Sequence, residues 1–208
     1  MSTQRRTYDN FRRERQAGQR RAAILDACRA VLLRAGYAQL TIRAVAEQAA
    51  VSQETIYKSY GNKRGLVKAL YDVTLAGDDE PIPMGQRPEV RALLAESDPR
   101  VVVAGYARLA RQVADRIGAI SAQLSSGGPE AAQITAETDR ERLTGTTAFV
   151  GHLAKGGHLR AGLDQAQGAD ACWVLISPQI YRMCITDCGW TSDAYEAWLA
   201  RMLTATLL

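Results

Sequence analysis

The chain has 208 residues, 47% hydrophobic and 23% charged, enough to bury a core without disulfide or metal staples and too apolar for a disordered polymer. No run of apolar residues is long enough to span a membrane, and the first 21 residues carry seven arginines and no apolar stretch, so neither a span nor a secretory leader is expected. The net charge of +4 is unevenly spread. Residues 1–68 hold fourteen basic and five acidic side chains, a net of +9; the remainder holds twelve and seventeen, a net of −5. A basic third on an acidic remainder points to a nucleic-acid module joined to something else. The four cysteines form no C-x-x-C pair and read as reduced thiols of a cytoplasmic protein.

In chain order, residues 1–16 are polar, arginine-rich and aperiodic, and read as a flexible arm. From Gly18 a helical period begins, with Ile24, Cys28, Val31, Leu32 and Ala35 on one stripe and Gly36 as the expected C-cap. Thr41 caps a short second helix with Ile42, Val45, Ala46 and Ala49 inward. After a break at Ala50 and Val51, Ser52 caps a third helix over 53–60, whose one strongly apolar inward residue is Ile56. Gly61 and Asn62 form a turn before a fourth helix striped by Leu66, Val67, Leu70, Tyr71 and Thr74. A proline- and acid-rich linker over 77–88 follows, and beyond it every segment still reads as helix. These include a short helix at 89–96, one from Pro99, a long one from Pro129 to about residue 153, and an apolar one capped by Asp164 over 165–187. The last begins at Thr191 or Ser192. Pro178 predicts a kink. The chain is therefore expected to be all-α, with about nine helices. The expected layout is an arm at 1–16, a first domain at 17–77 and a second at 88–208.

Two short helices, a tight turn and a polar third helix describe a helix-turn-helix. Its second helix must be apolar on one side only, because the outer side offers donors to phosphates and base edges in the major groove. Gln53, Thr55, Tyr57, Lys58 and Ser59 surround Ile56 in that way. The run Gly36-Tyr37, Leu40 to Arg43, Ala46, Val51-Ser52, Thr55 to Tyr60, Lys63 and Leu66 resembles the DNA-binding domain of the TetR family of bacterial transcriptional regulators. The resemblance covers residues 20–70.

The resemblance implies a contact for each matching position. Thr41 and Arg43 would meet the DNA backbone. Ser52, Gln53 and Thr55 would enter the major groove, with Gln53 able to pair with adenine in a bidentate manner. Tyr57 would bond a phosphate, Lys63 would hold one at the start of the fourth helix, and Lys58 lies at a variable position that touches phosphate or base. Tyr60 would be mixed, its ring packing beneath the recognition helix. Arg20 and Arg21, in the first turns of the first helix, are set where positive charge is locally unfavourable unless a phosphate is near; the arginines before them would follow the duplex or enter the minor groove. One departure stands out: Ala50 occupies the turn where the family often has glycine.

The resemblance further implies that 17–77 is the DNA-binding domain and 88–208 a ligand-binding and dimerising one, with a homodimer, a palindromic double-stranded DNA operator and a small-molecule effector that releases a repressor from it. Trp198, Leu199, Met202 and Leu203 are the expected dimer seam, and Tyr106, Gln123, Phe149, His152, Trp173, Tyr181 and Met183 the candidate ligand-binding residues. No phosphate-binding glycine loop, zinc-helix motif or nucleophile elbow occurs, so no enzyme, metal or cofactor is expected. The alternative is an architectural or constitutive DNA-binding regulator without an effector.

Overall fold

The computed structural model describes the backbone of residues 2–208 and the side chains of residues 15–208. The fold is all-α. Its helices are α1 (Ser2–Gln39), α2 (Ile42–Gln48), α3 (Gln53–Tyr60), α4 (Lys63–Ala76), α5 (Pro88–Leu94), α6 (Pro99–Ser125), α7 (Gly128–Lys155), α8 (Gln165–Leu175), α9 (Pro178–Arg182) and α10 (Ser192–Leu207), with a wider π turn at Met183–Asp187. They form two compact units: Met1–Asp72 with Ala122–Ile134, and Val73–Ser121 with Thr135–Leu208. Among the described residues no helix is long and apolar enough to cross a membrane.

The first unit buries the stripes that the sequence predicts. Ile24, Cys28, Val31 and Leu32 come from α1, Ile42, Val45 and Ala46 from α2, Ile56 from α3, and Leu66, Val67 and Leu70 from α4. Two expectations change here. The backbone is already helical from Ser2, so residues 2–16 belong to α1 instead of forming an irregular arm. No glycine or proline precedes Gly18, and arginine, glutamate and glutamine are good helix formers. The side chains of Arg5, Arg6, Arg12 and Arg13 lie outside the described residues.

The second change concerns the division of the chain. The end of α6 and the start of α7, Ala122–Ile134, go with the first unit, whereas composition alone divides the chain at 77–88. A helix of 27 residues is about 40 Å long, so one helix contributes residues to both units. Gly127, in the turn between α6 and α7, shows how tight this is: a Cβ there would lie 2.8 Å from the Cβ of Tyr37, which is itself buried.

The second unit is built on Val102, Val103 and Ala107 of α6, Phe149, Val150 and Leu153 of α7, Ala169 and Cys172 of α8, and Tyr195, Leu199, Leu203 and Leu207 of α10. The single kinked helix predicted over 165–187 is broken outright. α8 stops at Leu175, Ser177 caps α9 by accepting from the Ile180 N–H at 3.2 Å, and Pro178 takes the first helical turn. Proline needs no N–H bond there, and serine competes with the helix for its own backbone donors, so the pair starts a new helix where proline alone would only bend one.

Candidate nucleic-acid interface

Each short helix of the first unit is fixed at both ends by its own sequence. Thr41 accepts from the Ala44 N–H at 3.1 Å and starts α2. At the other end the Ala50 N–H reaches the Glu47 carbonyl at 3.3 Å and the Val51 N–H reaches the Ala46 carbonyl at 3.0 Å. This pair of reversed bonds requires a left-handed residue between them. Ala50 supplies it with φ 52°, the one non-glycine residue at positive φ among the described residues. The Cβ strain costs roughly 1–2 kcal/mol. The turn thus forms with alanine in the place where glycine would be unstrained.

Ser52 starts α3. Its Oγ accepts from the Thr55 N–H at 3.2 Å and lies 2.9 Å from Thr55 Oγ1. Ile56 is fully buried, whereas Tyr57 is 50% exposed. Gln53, Lys58 and Ser59 are exposed, and Thr55 and Tyr60 half-buried. Gly61 ends the helix at φ 75°. Asn62 then caps α4 by accepting from the Gly65 N–H at 2.9 Å. A Cβ on Gly65 would stand 2.2 Å from the Tyr60 carbonyl oxygen, so only glycine lets the end of α3 lie against the start of α4. The outward face of α3 is held at an angle fixed by one apolar anchor, two caps and this close approach.

The predicted cations differ in what they touch. Arg20 and Arg21 are exposed on α1. Arg43 Nε donates to Glu47 Oε1 at 2.8 Å, an i,i+4 pair on the outside of α2. Lys63 is drawn back: its ammonium lies 4.3 Å from the centroid of the Tyr37 ring and 3.4 Å from the Ala38 carbonyl. Lys63 therefore closes the end of α1 as well as starting α4. Glu47 was not singled out in the sequence; its spacing from Arg43 is the signal that would have found it.

The remaining sequence candidates do not come together as one set. Gln123 belongs to the first compact unit, apart from the other ligand candidates, with its Oε1 3.4 Å from where a Cβ on Gly36 would stand. In the second unit Tyr106 and Phe149 are stacked at 3.7 Å between centroids, with planes 8° apart. Burial holds the Tyr106 phenol well above its ordinary pKa, and pushes the adjacent Cys172 thiol up to about 12, so both stay protonated. Trp173 donates its indole N–H to the Asp139 carbonyl at 3.1 Å, and the Arg142 guanidinium lies over its ring and donates to its carbonyl. Tyr181 donates to Asp115, which also accepts from Ser192 at 2.8 Å and Arg111 at 2.9 Å. Those three donors favour the ionised carboxylate and outweigh its burial, holding the Asp115 pKa down. His152 is half-buried and Met183 exposed on the π turn.

The seam candidates also separate. Leu199 and Leu203 are wholly buried in the chain's own core and present no surface to a partner. Trp198 and Met202 are half-buried, and Trp198 packs edge-on to Trp190 at 5.8 Å. An apolar period on a helix marks burial, and it does not distinguish burial by the same chain from burial by another.

Residues 24–70 match the family of bacterial regulatory proteins, tetR family. The matched segment runs from Ile24 of α1 through α2 and α3 to Leu70 of α4. Over 47 residues it is 47% identical to an uncharacterised HTH-type transcriptional regulator, YvkB, of Bacillus subtilis; the match spans 23% of this chain and a quarter of that protein. Similarity to solved structures extends over nearly the whole chain. A TetR-family transcriptional regulator from Syntrophomonas wolfei superposes with a TM-score of 0.71 at 15% identity, covering 90% of this chain and 95% of that one. The transcriptional regulator FadR from Bacillus subtilis, in complex with stearoyl-CoA, does so with a TM-score of 0.65 at 18% identity, covering 90% and 99%. At these identities the second unit shares its fold with those proteins.

Proposed function

We propose that the chain is a ligand-responsive transcriptional regulator, a repressor, that binds a palindromic operator as a homodimer and leaves it when a small-molecule effector binds. The observation that carries this reading is α3, a helix with one buried side chain and an outward face of Gln53, Tyr57, Lys58 and Ser59. So short and polar a helix is marginal alone, and a face of donors and acceptors in the basic first third of the chain fits a duplex. In the bound form Thr41 and Tyr57 hold phosphates, Arg43 and Lys63 exchange their internal partners for phosphate, and Gln53 reads a base. An isologous dimer would put two such helices about one DNA turn apart. Trp198 and Met202 are the seam residues that retain exposed surface. A ligand site in the second unit is consistent with the FadR relative in complex with stearoyl-CoA.

The test is selection of bound sequences from a random duplex library at two salt concentrations. Recovery of one palindromic motif supports a dimeric regulator. Salt-sensitive binding without any motif would replace it with an architectural protein that binds phosphates only. One observation favours a regulator without an effector: Tyr181, Trp173 and Arg142 already engage protein partners. If no compound from a diverse library releases the selected duplex, that second reading takes over.

A further inference from the structure

Helix α2 carries its charges against its own dipole. Arg43 lies in the first turn, where the helix end is positive, and Glu47 lies near the last carbonyls, where it is negative. The order Arg then Glu at i,i+4 is also the weaker of the two orientations. Both side chains are well exposed, 77% and 66%, so water screens their 2.8 Å contact. Such a pair does little for the stability of α2. Its placement makes sense if Arg43 faces an outside anion and Glu47 occupies it in the meantime.

We infer that Glu47 is an internal competitor for Arg43, a carboxylate that holds the guanidinium until a DNA phosphate replaces it. This rests on the DNA-binding reading above. Every Arg43–phosphate contact is then made at the expense of the Arg43–Glu47 pair, and the released carboxylate stays near the duplex. Glu47 thereby lowers affinity for any duplex and makes Arg43 respond only where a phosphate is within reach. It acts through Arg43, as a positioning residue that makes no contact of its own with DNA.

The experiment is a double-mutant cycle on the full chain: wild type, Glu47→Gln, Arg43→Gln and the pair. Affinity is measured by fluorescence anisotropy for a duplex recovered by selection, at two salt concentrations. Glu47→Gln should tighten binding about 3-fold and steepen the dependence on salt, because the guanidinium now neutralises phosphate without first losing a partner. In the Arg43→Gln background the same substitution should change affinity by less than about 1.5-fold. Equal tightening in both backgrounds would mean that Glu47 repels the duplex at a distance, and weakening by Glu47→Gln would mean that it props Arg43 for contact; either overturns the inference. Equal thermal midpoints across the four proteins exclude a folding effect. A wild type that binds no duplex would remove the DNA-binding reading as well, whereas tight wild-type binding without coupling removes only the role of Glu47. Without DNA, slower solvent exchange of the Arg43 Nε–H in wild type than in Glu47→Gln tests the pair by itself.

Discussion

Helices α3 and α8 begin alike and end with opposite chemistry. Ser52 caps one and Asp164 the other, each accepting from backbone N–H groups of its first turn. α3 then buries Ile56 alone and turns Gln53, Tyr57 and Lys58 to solvent. α8 buries Gly168, Ala169 and Cys172, exposes Val174, and directs the Trp173 indole N–H back to the Asp139 carbonyl. In the first unit hydrogen-bonding capacity faces outward, where a partner can use it. In the second unit the polar groups of Trp173 and Tyr181 are satisfied within the protein, by the Asp139 carbonyl and by Asp115. A surface helix that is more polar than its own stability requires is a mark of recognition; a polar tip inside a packed region is more often a matter of satisfied burial.

That contrast can be broken most directly at its anchors. Ile56→Ala should destabilise the first unit by about 2–5 kcal/mol, and Leu199→Ala the second by a similar amount. The first should abolish DNA binding. The second should leave the outward face of α3 intact in hydrogen exchange. All three tryptophans, Trp173, Trp190 and Trp198, lie in the second unit, so their fluorescence reports its unfolding. If Ile56→Ala leaves DNA affinity unchanged, α3 is not the reading element.

Smaller effects sharpen the same comparison. Tyr57→Phe should weaken binding to all duplexes by about 10-fold, the loss of one hydrogen bond to a charged group, while Gln53→Ala should relax preference at one base position by about 1–3 kcal/mol. A Gln53→Ala protein with an unchanged selected motif would show that another side chain reads the base. Ala50→Gly relieves the positive φ and should stabilise the first unit by about 1 kcal/mol with no change in the selected motif. A destabilised glycine variant, measured by urea unfolding, would show that the greater freedom of the unfolded chain outweighs the strain.

The smallest effect concerns acid. Asp78 accepts from both terminal nitrogens of the Arg87 guanidinium, at 2.6 and 2.9 Å, and from the Glu80 N–H, which holds its carboxyl at about 2 against an ordinary 3.8. A carboxyl depressed on folding contributes stability that is complete above the ordinary value and disappears as pH falls through the depressed one. Asp78→Asn should therefore flatten the decline of the second unit's thermal midpoint between about pH 4 and pH 2. An unchanged acid limb would mean that the Arg87 clasp does not persist in solution.

The helix-turn-helix was legible because its signals are local. Thr41 and Ser52 cap within three residues, Ile56 is the lone apolar residue of an eight-residue helix, and Ala50 occupies a turn whose bonds span five residues. The break near the end of α1 was equally legible in Gly36, whose φ of 77° interrupts the helix three residues before Gln39. The second unit was legible only as a set of helices. Its apolar periods show that Leu199 and Phe149 are covered but not what covers them. Tyr181 and Asp115 meet across 66 residues of chain, and no spacing announces such a pair.

By itself, then, the sequence determined the all-helical class, the caps and turns of the helix-turn-helix, and the outward polar face of α3. These depend on backbone groups a few residues apart and on which side of one helix is apolar. Only the tertiary structure decided that Ala122–Ile134 packs with the first unit, that Leu199 and Leu203 belong to the chain's own core, and that Arg43 and Lys63 have internal partners. Those outcomes depend on which surfaces meet, and hydrophobic burial, having no direction of its own, leaves that choice to the packing of the whole chain.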